Sequence, residues 1–132
     1  MFWKLYLISL SSFVLIDVVW LGLIAKNFYA QQLGFLMKTN ANALAALVFY
    51  ILFTFGILFF VVLPGLEKNV GYQIILHGAF FGLVTYSAYD FSNLATLKNW
   101  PLAVTLVDLL WGTLLTSLVS ALTYLLAIKF LR

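Results

Sequence analysis

Residues 5–25 hold a single charged side chain, Asp17, and residues 41–63 hold none. A bilayer core about 30 Å thick needs about 20 mostly apolar residues per spanning helix, so each run has the length and chemistry of a membrane crossing. Two further runs, 72–90 and 102–128, carry one acid apiece, Asp90 and Asp108. The expected fold is an all-α membrane protein, a single domain over residues 1–132 with four transmembrane helices in a compact bundle. Composition agrees: 8% of residues are charged, against about 25% in soluble domains.

The first run is read as a retained helix, since a secretory h-region spans only about 7 to 15 residues and no A-x-A-like cleavage site follows. With no cysteine and one histidine, His77, thiolate metal sites, cysteine nucleophiles and histidine-rich di-iron chemistry are ruled out by count. No metal and no cofactor is expected. The net charge of +3 is spread over loops and ends. It suits contact with anionic headgroups, the lipid bilayer being the expected partner, and gives no reason to expect nucleic acid.

Four crossings place both termini on one side, with Lys4, Lys68, Lys129 and Arg132, against Lys26, Lys38 and Lys98 on the other. That bias favours cytoplasmic termini. Trp3, Tyr6, Tyr29, Tyr72 and Trp100 fall near the ends of the runs, where aromatic side chains anchor at the interface. Residues 64–69 read as a tight turn punctuated by Pro64 and Gly65, and residues 26–40 and 91–101 as the other connections. Gly78 and Gly82 form a small-xxx-small pair, matched in the fourth run by Gly112, Thr116 and Ser120. Such stripes let helix backbones approach closely and read as packing faces.

Mid-membrane carboxylates cost about 2.5 to 3.5 kcal/mol on insertion scales and normally face protein or water. At 1.5 Å per residue, Asp17 lies about 12 Å inward from residue 25 and Asp108 about 10 Å inward from residue 101. Both ends belong to the same side, which Asp90 approaches from the third run. The candidate site is therefore Asp17, Asp90 and Asp108, with Asn93, Tyr86, Tyr89 and Thr105 as polar neighbours. Trp20 and Trp111 stand three residues after Asp17 and Asp108, on the same helical faces as the acids, and the two D-x-x-W motifs run in opposite directions through the membrane. His77, about 20 Å from Asp90 along its helix, does not join them. A purely structural reading, in which the aspartates accept hydrogen bonds and hold helices together, stands beside the functional one.

The motifs Asp17-Val-Val-Trp20-Leu21, Phe28-Tyr29, Phe49-Tyr50, Gly78-Ala-Phe-Phe-Gly82-Leu83, Tyr89-Asp90-Phe91-Ser92-Asn93 and Val107-Asp108-Leu-Leu-Trp111-Gly112-Thr113 resemble the small bacterial membrane proteins grouped as domain of unknown function 2177. The resemblance covers nearly the whole chain and implies a four-helix, multi-pass protein of the bacterial inner (cytoplasmic) membrane, with no activity attached. Three functions remain in play. The first is an oligomeric transporter or channel, a homo-dimer in the simplest case, binding a proton, cation or small solute at Asp17, Asp90 and Asp108. The second is a membrane enzyme or lipid-binding factor acting on headgroups or acyl chains. The third is a structural or accessory subunit.

Overall fold

The computed structural model describes residues 1–131. All regular structure among them is helical: α1 (Phe2–Ile24), α2 (Lys26–Leu33), α3 (Ala43–Lys68), α4 (Gly71–Thr96) and α5 (Leu102–Phe130). Three of these, α1, α3 and α5, are long and apolar enough to cross a membrane. The third expected crossing, α4, has the length, at 26 residues, but Gln73, His77, Asp90 and Asn93 dilute its apolar character.

Several boundaries differ from expectation for local reasons. Residues 26–40 are not all loop, because Lys26–Leu33 forms the short helix α2. Pro64 does not end α3. Its ring would crowd the carbonyl four residues back and it has no N–H to donate, and a π-helical turn over Leu58–Val62 immediately before it absorbs the misfit. The chain reverses instead at Asn69, which takes the left-handed conformation (φ 57°) that asparagine tolerates. Farther on, α4 runs past Asp90 to Thr96, so Ser92 and Asn93 are helical rather than part of a loop. The Ser92 and Thr96 hydroxyls donate to the carbonyls of Ala88 and Ser92 on their own helix, so these polar side chains do not break it.

One core joins the four long helices. Leu5 and Phe13 of α1 meet Phe53, Ile57, Leu58 and Val62 of α3 and Leu115 and Val119 of α5, with Phe81 and Tyr86 of α4 packed against them. Outward, Leu23, Leu44, Leu52, Phe59, Phe80 and Leu110 are each more than two-thirds exposed or nearly so. Apolar exposure on that scale has no place in water and marks a lipid-facing surface.

The most extensive helix pair is α4 with α5, and small residues set its separation. A Cβ added at Gly82 would stand 2.1 Å from the backbone oxygen of Gly112, one at Gly112 would meet the Tyr86 ring at 2.3 Å, and one at Gly78 would meet Ser120 Oγ at 2.8 Å. Thr116 and Ser120, both fully buried, complete the seam. Gly82→Ala is expected to force α4 off α5 and cost about 1–3 kcal/mol, read as a lowered thermal unfolding midpoint in detergent. Gly22→Ala serves as the control, because an added Cβ there meets nothing within 4 Å.

Candidate functional site

Asp17 and Asp108 are 5% and 8% exposed, on α1 and α5. These helices run antiparallel. A step of three residues toward the C-terminus therefore moves outward on α1 and inward on α5, and each tryptophan arrives at the depth of the other motif's aspartate. The hydrogen bonds cross accordingly. Trp111 Nε1 donates to Asp17 Oδ1 (3.1 Å), while Trp20 Nε1 donates to the Tyr29 hydroxyl (3.3 Å), which in turn donates to Asp108 Oδ1. At the crossing the two indoles stack, with centroids 4.3 Å apart and planes 9° from parallel.

The second oxygen of Asp17 accepts from the Tyr50 hydroxyl of α3 (2.6 Å). Asp17 thus ties α1 to both α3 and α5. Tyr29 reaches inward because α2 folds back beneath the end of α1, where a π-helical turn over Trp20–Ile24 re-aims the chain. Burial first, and then its bond to Asp108, push the Tyr29 phenol above its ordinary pKa, which keeps it a donor.

Asp90 behaves differently. It is fully buried beside the Asp108 carboxyl, close enough to share a proton with it, and no other hydrogen-bond partner reaches either of its oxygens among the described residues. Trp100, expected at the interface, is buried and donates to Thr105 Oγ1 (3.0 Å). Tyr6, a second expected anchor, is also buried, donating to the Ile51 carbonyl (3.0 Å).

Asp17, Asp108 and the Tyr29, Tyr50 and Trp111 side chains bonded to them border a cavity of about 760 Å³ that opens to the outside. Its polar lining includes Asp17, Asp108, Tyr29, Tyr50, Tyr89 and Trp111, with Tyr86 and Thr85 from α4 and Lys26 at the start of α2. Leu21, Leu33, Met37, Ala46, Phe49 and Phe53 supply apolar walls.

Of the residues expected from sequence, Asp17, Asp108, Tyr86, Tyr89 and Trp111 therefore share one cavity. Trp20 stands one hydrogen bond behind it, Asp90 lies behind Asp108, and Asn93 sits next to Tyr89 outside the lining. His77 is exposed and lines neither this cavity nor the groove beside it. Tyr29 and Tyr50 were missed as site residues. A phenol inside an apolar run needs a partner for its hydroxyl, and Tyr50 carried that signal. No group of three or more His, Asp or Glu side chains among the described residues is placed to hold a metal.

A family profile described as "Predicted membrane protein (DUF2177)" matches residues 2–125. The chain belongs to this family. The match spans the D-x-x-W motifs of α1 and α5, both cavity tyrosines and the α4–α5 seam, so the site as built lies wholly within the family's extent. No curated protein and no solved structure matches the chain, and the DUF2177 description itself names a membrane protein without an activity.

Proposed function

We propose that this DUF2177 protein binds an amphipathic molecule drawn from the surrounding membrane. The carrying observation is a 760 Å³ cavity with apolar walls and two carboxylates in its lining. Apolar walls with a few convergent polar groups are the usual makeup of small-molecule sites. Here the walls suit a hydrocarbon chain, and Asp17 and Asp108 suit a head that donates hydrogen bonds or carries positive charge. Asp108 and the Tyr29 hydroxyl then stand where a bound head group can exchange a proton with them.

Transport, the first of the three readings from sequence, needs a path to the opposite face. Toward that face Ile57, Leu58, Val61, Leu115 and Val119 are completely or almost completely buried, which favours a blind pocket over a conduit within one chain. In this reading α4 is the fourth crossing. Its 26 residues reach about 39 Å, and its outward side chains include Ile75, Leu76, Phe80 and Val84. Both termini then share one side, the cytoplasmic side by the lysine bias, and the membrane is the bacterial inner membrane.

The test is native mass spectrometry of the protein titrated with octadecylamine. Asp108→Asn is expected to weaken its binding about tenfold, through loss of a charge-assisted contact. Undiminished binding by a folded Asp108→Asn protein overturns the reading.

A further inference from the structure

Phe49 and Phe53 stand on the border of the cavity. Both residues also line a second, wholly apolar groove of about 470 Å³ that continues along α3 past Gly56 to Phe60 and Phe81. Ring contacts mark out one wall: Phe49 to Phe53 at 5.3 Å, Phe53 to Phe81 at 5.4 Å, and Phe81 to Phe60 at 5.7 Å between centroids. From Ala46 in the cavity to Phe60, α3 advances about 21 Å, more than the roughly 15 Å depth of one leaflet's hydrocarbon.

We propose that this groove seats the tail of the amphiphile whose polar end meets Asp17 and Asp108, so that the occupant is a long-chain amphiphile lying along α3. The inference rests on the binding reading above and adds a location for the chain. Adjacency chooses the occupant: the two spaces abut at two phenylalanines, and only a molecule with a polar end and a long apolar end fills both. Gly56 lets the Phe81 ring lie against α3 at the groove wall. A Cβ at that position would stand 3.0 Å from the Phe81 ring, so a larger side chain fills the gap between α3 and α4.

Lipid tails are as apolar as this groove, and the preference of a chain for it comes from packing rather than from escape from water. Position is therefore the informative readout. Octadecylamine carrying a diazirine at the chain terminus, added to the full-length protein in lipid nanodiscs, is expected to label peptides holding Phe59–Phe60 or Phe81. A probe with its diazirine next to the amine is expected to label around Tyr50 and Trp111. Gly56→Leu should cut terminal labelling about fivefold or more while head labelling persists. Leu52→Trp, on an exposed groove position, should do the same without touching the α3–α4 contact. Terminal labelling that both variants leave unchanged, or that spreads evenly over Leu23 and Leu110, overturns the groove assignment. So do cross-links between two copies at Phe59, which would make the groove a subunit interface. Loss of head labelling in neither Asp108→Asn nor Asp17→Asn overturns the binding reading itself, a separate outcome.

Discussion

Replacing Asp17 by leucine is expected to lower stability by about 2–5 kcal/mol, read from thermal unfolding in detergent. The carboxylate accepts from Tyr50 and from Trp111, and its removal leaves two donors facing an apolar side chain. Each unsatisfied buried donor costs about 1–3 kcal/mol. Asp17→Asn should fall between wild type and leucine, because the amide oxygen can still accept one of the two bonds. A leucine variant as stable as wild type would mean that these bonds contribute nothing net, and would leave the α1–α5 attachment to apolar packing and the indole stack alone.

The opposite sign is expected at Asp90. Asp90→Leu should raise stability by about 1–3 kcal/mol, because the carboxyl is fully buried against a second acid, Asp108, with which it can share only a proton, and no other group among the described residues bonds either oxygen. Exchanging a buried carboxyl served only by another carboxyl for an apolar group of similar volume removes a desolvation penalty and leaves Asp108 its bond from Tyr29. Relief of crowding with the neighbouring Asp108 acts in the same direction. The two substitutions measured side by side separate glue from cost: Asp17 holds helices together, whereas Asp90 is retained against stability. If Asp90→Leu is instead destabilising, Asp90 has a partner in solution, such as a bound cation or solvent.

The helical class and the acid layer were legible in sequence for a simple reason. Long apolar runs admit few structures in a membrane, and rise per residue converts chain position directly into depth. That arithmetic put Asp17 and Asp108 at matching levels. What it could not supply was azimuth, the direction each side chain faces about its helix, and so Tyr50 looked like one more aromatic residue in an apolar run. Tyr29 was hidden differently. Its position in a polar connection suggested an interfacial anchor, and only the backward fold of α2 brings it to Asp108. Pro64 reads as a stop on its own preference, and only the π-turn at Leu58–Val62 lets the helix run on through it.

The crossed pattern of the D-x-x-W motifs bears on the order in which the chain is made. Trp111 and Asp17 are separated by 94 positions, and Tyr29 and Asp108 by 79. Tyr50 is synthesised 33 residues after Asp17 and is the first donor that can meet it. The second donor exists only once α5 has been made. Until then Asp17 is half-served and the face of α1 that will meet α5 stays open, so α5 closes the wall of the cavity that carries Asp108 and Trp111. A chain that stops short of α5 has most of its apolar mass but lacks Asp108 and Trp111, so neither crossed bond can form.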